Sequence, residues 1–267
     1  MSALIFNNGQ PIDWGKPDSF VTAIMGALSM SFPVGEDFFV DSIRRTHAAL
    51  PKNLKEKWGP EVNRFCKEEQ SHSRAHVVHN QKNCSEFGFV NNWGVRAAKR
   101  ISKMDDRDVR HYSAAVAATE HLTTVLACWL LLNKHILENA PRDTRNLWLW
   151  HAAEELGHRE VAIDMYRDLG GSEKWRIKWM KIIYTVTVID CFRQTLHNVW
   201  RMGGFFKLST WVNGYKLMFS KNGVMRWSYM YFKAYGQQNY HISQHQAVID
   251  MALKARIANN PQQGVTQ

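Results

Sequence analysis

Cysteine is sparse and unpatterned in this 267-residue chain. Cys66, Cys84, Cys128 and Cys191 are scattered with no CxxC spacing, so no Cys/His ribbon for a structural zinc is present. A Gly-rich phosphate loop and a GxSxG elbow are also missing, which argues against nucleotide hydrolysis and serine chemistry. The most apolar run, Val125 to Leu132, falls short of the roughly 20 residues a bilayer span needs, and the mean hydropathy is −0.38. Alternating β-branched runs bounded by turn dipeptides hardly occur. These absences, with no charged-then-apolar leader at the start, predict an all-α, reduced, cytoplasmic protein without a transmembrane helix. Its 45% hydrophobic residues are enough to fill a real core.

Acid is nearly absent from one long stretch. Between Lys174 and Tyr235 eleven Lys and Arg face the single acid Asp190, and the formal charge of +10 is concentrated there. Aromatics such as Trp175, Trp200, Phe206, Tyr215 and Trp227 crowd the same stretch. That composition suits an anionic surface, and the expectation is peripheral contact at the inner face of the membrane. A nucleic acid is the competing partner. The plainest alternative is solvated charge over an aromatic core.

A first helix is predicted after Pro17-Asp18-Ser19, reaching about Leu50 and bent near Pro33 and Gly35. Lys52 to Gly59 reads as a link, and Pro60 as the first turn of a second helix ending near Glu86. A short piece spans about Trp93 to Ser102. Asp105 or Asp106 then caps a third long helix reaching about Asn139, and a fourth runs from about Asp143 to Leu169, stopped by Gly170-Gly171. Four such helices make a bundle whose longer connection joins the second to the third. Three or four further helices, punctuated at Gly203-Gly204, Gly214, Gly223 and Gly236, complete the chain. The reading is a helical bundle over residues 1–171 and a basic, aromatic-rich helical extension over 172–267 packed on it.

The bundle carries an unusual polar pattern. In HAAEELGHREVAIDMY, residues 151–166, His151, Glu155 and His158 share one helix face, where an unpartnered carboxylate is costly to bury. FCKEEQSHSRAH, residues 65–76, places Glu69 and His72 at the same three-residue spacing. Each pair is preceded, one helix earlier, by a lone glutamate in apolar sequence: Glu36 in SFPVGEDFFV and Glu120 in AAVAATEHLTTV. The order Glu, Glu-x-x-His, Glu, Glu-x-x-His suits two metal ions bridged by carboxylates, each with an imidazole on its outer flank. Glu68 and Glu154 turn about 100° away from their neighbours and read as surface charge or as salt-bridge partners behind the ligands. His121 faces away from Glu120 and reads as structural, and His241 and His245 as an ordinary pair. Asp164 is a candidate acceptor for a ligand histidine.

The pattern resembles the ferritin-like di-metal carboxylate superfamily, which includes ribonucleotide reductase small subunits, bacterial multicomponent monooxygenases and acyl carrier protein desaturases. More narrowly, FPVGEDFF, EEQSHSRAH and HAAEELGHREVAIDMY look like the bacterial family labelled predicted metal-dependent hydrolases, over about residues 20–170. The resemblance implies a ferritin-like four-helix bundle with additional C-terminal helices, and Glu36, Glu69, His72, Glu120, Glu155 and His158 as ligands. A histidine four residues before the last Glu-x-x-His glutamate also resembles arylamine N-oxygenases, where it is an extra ligand. His151 and His76 therefore compete for a seventh position here, with hydrogen bonding to a ligand as the other role for each.

The leading expectation is a non-haem di-iron oxidase or oxygenase that uses two iron ions and O2 on a small organic, lipid-like substrate. Manganese or zinc would suit the same donors. With no flavin or iron–sulfur motif, an external electron donor is implied. The alternative is a di-metal hydrolase, although no residue of the pattern demands hydrolysis. Ferroxidase or iron-storage activity and a tRNA-modifying oxygenase are further readings. The basic extension argues against a storage cage, and a monomer or homodimer in solution would dismiss it.

Overall fold

Residues 19–104 and 107–257 are described by the computed structural model, and among them it contains ten α-helices and no strand. Helix α1 (Ser19–Ala49) turns at Leu50 and Pro51 directly into α2 (Lys52–Phe87). The expected link at Lys52 to Gly59 is therefore helical, and Pro60 lies inside α2 rather than at its start. Pro60 forfeits one backbone hydrogen bond. The turns before it compensate by laying Leu54 and Trp58 on the core and placing Trp58 Nε1 2.7 Å from Asp168 Oδ2.

A short helix, α3 (Asn92–Ile101), is capped by Asn91, whose side chain accepts from the Gly94 N–H. Helix α4 (Val109–Leu132) is capped by Asp108, which accepts from the Arg110 N–H at 2.9 Å. The expected caps Asp105 and Asp106 lie outside the described residues, as do Pro17 and Asp18. A 3-10 turn over Lys134–Leu137 takes over where the third long helix was expected to continue.

The fourth long helix is two: α5 (Arg142–His158) and α6 (Val161–Asp168). Arg159 Nη1 donates to the Leu156 carbonyl and Arg64 Nη2 to that of Gly157, at 3.3 Å. Those carbonyls are the acceptors an unbroken helix would offer to residues 160 and 161, so side-chain donors open the ladder directly after His158.

Helix α1 packs against α2 and α4, and α5 packs against α4 and α2, so the four enclose a common axis. Helix α4 is apolar and long enough, by composition and length, to cross a membrane, unlike the shorter run considered from sequence. Its most apolar stretch is mostly buried against its neighbours. Helix α7 (Glu173–Arg201) lies along α1 and α4, and one core cluster joins Phe65 and Leu131 to Met180, Val199 and Tyr235.

Helices α8 (Leu208–Phe219), α9 (Val224–Tyr235) and α10 (Gln246–Ile257) complete the layer. Gly214 is mid-helix in α8 rather than at a boundary, because a Cβ there would come within 2.6 Å of the Phe20 ring. Arg176 is fully buried at the start of α7, donates to the carbonyls of Tyr235 and Gln237, and pairs with Glu173 at 2.6 Å.

Candidate metal centre

Each of the four bundle helices turns one glutamate inward: Glu36 from α1, Glu69 from α2, Glu120 from α4 and Glu155 from α5, none more than 3% exposed. His72 and His158, three residues after their glutamates, are wholly buried beside them. His158 Nδ1 lies 2.6 Å from Glu69 Oε1, and His72 Nδ1 lies 3.4 Å from Glu155 Oε1. Seven of the eight carboxylate oxygens nevertheless make no properly angled hydrogen bond, nor does Nδ1 of either histidine. Close approach without hydrogen bonding, deep in an apolar interior, is what donor atoms gathered for a cation show.

Two overlapping groups place their ligand atoms within 4.8 Å of one another: Glu69, His72, Glu155 and His158, and Glu36, His72 and His151. Glu120 adds two unpartnered oxygens on the α4 side. Burial, then the charges of Glu155 and Glu69, hold its carboxyl well above the usual range. Burial and the Glu69 charge do the same to Glu36. For Glu155 burial also pushes upward, but the surrounding histidines, His151 and His72 first, outweigh it and hold it well below.

Burial opposes protonation of His72 and His158, yet their glutamate partners raise both well above 6.5. Oxygen-rich ligation completed by imidazole fits iron, manganese or zinc. The residues present therefore fit two such ions.

The outer nitrogens of the two histidines are held crosswise. Glu68, beside Glu69 on α2, lies 2.8 Å from Nε2 of His158 on α5. Glu154, beside Glu155 on α5, lies 3.0 Å from Nε2 of His72 on α2. Each half of the site orients the other half's imidazole, with the proton on Nε2 and Nδ1 turned inward. Of the two sequence readings for Glu68 and Glu154, the salt-bridge role is the one observed.

A second chain of hydrogen bonds begins at Pro33. Lacking an N–H, Pro33 leaves the Ser29 carbonyl free, and Asn80 Nδ2 donates to it at 2.9 Å. Asn80 Oδ1 is thereby turned to accept from Ser29 Oγ at 2.6 Å. With its proton committed, Ser29 Oγ accepts from His76 Nδ1 at 2.8 Å, which leaves His76 Nε2 as an acceptor, 2.7 Å from His151 Nδ1. The His151 proton must then be on Nδ1. Its Nε2 lone pair faces Glu155 Oε1 at 2.9 Å and Glu36 Oε1 at 3.6 Å. Burial holds both rings below 6.5, in keeping with neutral imidazoles. His151 is thus the ring presented to the centre, and His76 the ring behind it.

The sequence pattern of the family described as predicted metal-dependent hydrolase matches residues 3–246. The chain belongs to that family. Comparison with curated proteins and with solved structures finds no match. The family's description fits the hydrolytic expectation better than the oxidative one, and it agrees with a metal-dependent site.

The family match also takes in residues that the fold keeps away from the centre. Asp164 does not reach a ligand histidine: it lies 3.2 Å from His241 Nε2 and pairs with Arg167. His245 packs edge-on against Tyr231, with ring centroids 4.8 Å apart. His121 makes a 3.2 Å hydrogen bond to the Tyr231 carbonyl and is buried against Tyr235. Ser29 and Asn80 were missed as functional residues. The signal for Ser29 was present, since a proline four residues on frees its carbonyl, but its partner on α2 needs the packed structure.

Proposed function

We propose that the chain is a ferritin-like dinuclear metalloenzyme in which Glu36, Glu69, His72, Glu120, Glu155, His158 and His151 hold two iron ions, and that it oxidises an organic substrate with O2. The observation that carries the reading is the set of seven buried carboxylate oxygens, without hydrogen-bond partners, that four helices turn toward one axis. Four carboxylates offset two divalent charges and favour a higher oxidation state. When bound, the irons supply electrons to O2, and an external donor restores them.

This chain's residues bind, orient and exclude. Glu68 and Glu154 keep the imidazole protons on the outer nitrogens, while Asn80, Ser29 and His76 hold His151 lone-pair inward. Phe32 packs 4.6 Å from both the His76 and His151 rings and helps hold them in place.

Hydrolysis is the second reading, favoured by the family's description. Zinc or manganese on the same donors would polarise an ester without O2. Mössbauer spectroscopy of iron-loaded protein before and after exposure to air separates the two. Two coupled irons that oxidise in air support the oxidase. Irons that stay ferrous, with ester hydrolysis by zinc- or manganese-loaded protein under argon, would overturn it. An assembly the size of a cage, or co-purifying RNA, would instead promote iron storage or tRNA modification.

We also propose peripheral contact with an anionic membrane through α7 and α8. Phe206 and Leu208 are 86% and 77% exposed on either side of Lys207, and Phe192, Trp200, Tyr215 and Phe219 are exposed as well. Flotation with neutral and anionic vesicles, with RNA as competitor, is the test. Binding to neither vesicle type would end the proposal.

A further inference from the structure

A cavity of about 480 Å3 lies between α1, α3, α4 and α7, with Glu36 among the residues of its wall. Its inner surface is apolar: Phe32, Phe38, Leu122, Leu126 and Ile183 contribute to it. The hydroxyls of Ser31, Thr119 and Thr123 are turned back to carbonyls of their own helices, at 2.7, 2.9 and 3.0 Å, and offer little to a guest. At the solvent end are Arg100, Lys103, Arg107 and Lys178, all exposed. Among the described lining residues Glu36, at the buried end, is the sole acid. Arg100 is already paired with Asp190, so among the described residues Lys103, Arg107 and Lys178 are the rim charges left to meet a ligand.

We infer that this cavity binds a single-chain amphiphile with an anionic head, its head on the Lys103, Arg107 and Lys178 rim and its chain in the apolar throat ending against Glu36. The inference deepens the proposed reading of the centre as an enzyme's and names its substrate class. The two ends of the cavity dictate the orientation. An anion is paired at the rim, whereas deeper in it would lose water and gain no donor. The hydrocarbon chain gains by leaving water, about 0.8 kcal/mol for each buried methylene. A neutral amphiphile would forgo the rim and a cationic one would be repelled by it.

Calorimetric titration of the full chain, metal-free and metal-loaded, with dodecanoate, dodecyl phosphate, dodecanol and dodecyltrimethylammonium tests the inference. The two anions distinguish a carboxylate head from a phosphate head. At least one of them is expected to bind about tenfold or more tightly than dodecanol, the gain of one charge-assisted contact. Lys103→Glu with Arg107→Glu should remove that advantage and leave dodecanol binding unchanged. Val186→Trp, filling the cavity from α7, should weaken every chain. Lys52→Glu with Lys254→Glu, away from the cavity and from α7 and α8, should change nothing.

Equal affinity for dodecanol and both anions, or indifference to the rim reversal, would overturn the inference. The outcomes separate from those of the proposed function. A chain that holds two metals but no anionic amphiphile refutes this inference alone. One that binds dodecanoate without ever binding metal refutes the metalloenzyme and leaves the cavity's ligand standing.

Discussion

The axis of the bundle and the outer side of α7 and α8 are opposites in composition. The axis gathers four carboxylates with almost no hydrogen-bond donors, while the outer side exposes cations and large apolar groups, with no acid in sequence between Asp190 and Asp250. The one acid of α7 beyond Glu173, Asp190, is buried and spent on Arg96 and Arg100 of α3, so it does not neutralise that surface. Neither region is balanced by the chain itself. Buried carboxylates without partners cost several kcal/mol each, and exposed apolar groups among cations gain nothing from water. The difference teaches that one protein carries two one-signed regions: an interior whose donor atoms suit cations and an exterior that we propose meets a negative surface.

The comparison breaks most completely if the interior is filled from within. Glu120→Ala is expected to leave fewer than two metals per chain by elemental analysis, with the helical circular dichroism signal retained. Two full equivalents would show that Glu120 is not a ligand. Asn80→Leu should weaken binding of one of the two equivalents by about 10- to 100-fold, the effect expected of a residue that orients a ligand. Unchanged titration curves would reduce the Ser29–Asn80–His76 chain to packing.

At the outer side, Lys207→Glu and Lys216→Glu should each reduce anionic-vesicle binding at least about fivefold, since a basic residue near such a surface contributes about 1 kcal/mol. Loss on neutral vesicles as well would point to a fold defect.

A smaller effect concerns pH. Glu36, Glu120, His72 and His158 all have raised folded-state values, so their contribution to stability is present below the unfolded values and lost as pH rises through the folded ones. Glu155 is depressed and acts only toward acid, where its contribution is lost. As pH rises above about 6.5 the metal-free protein should therefore lose a few degrees of Tm, and saturating metal should remove the trend. A flat metal-free profile would mean that these groups are not held as the geometry places them.

Much of the centre was legible because residues three apart on a helix share a face, so the two Glu-x-x-His pairs needed no tertiary information. The lone glutamates Glu36 and Glu120 were legible as charges set in apolar helices. Pairings across helices were not: Glu68 with His158 and Glu154 with His72 depend on how α2 lies against α5. The start of α2 was misplaced because the Trp58 contact with Asp168 outweighs a proline, and a proline is the stronger local signal. The break after His158 comes from Arg64 and Arg159 reaching backbone carbonyls, which no periodicity reports. The four cations around one cavity mouth come from α3, the segment after it and α7, far apart in sequence.

Pro33 has a consequence for the symmetry of the centre. The two halves echo each other in sequence, but α1 has a proline a few residues before its glutamate and α4 has none. Only the Glu36 side therefore gains a third imidazole with its lone pair fixed inward before any ion arrives. In the proposed dinuclear centre the two positions are therefore inequivalent by construction. A single equivalent of metal should distribute unevenly between them, one position filling ahead of the other, and a fully loaded pair should give two distinguishable spectroscopic signatures rather than one.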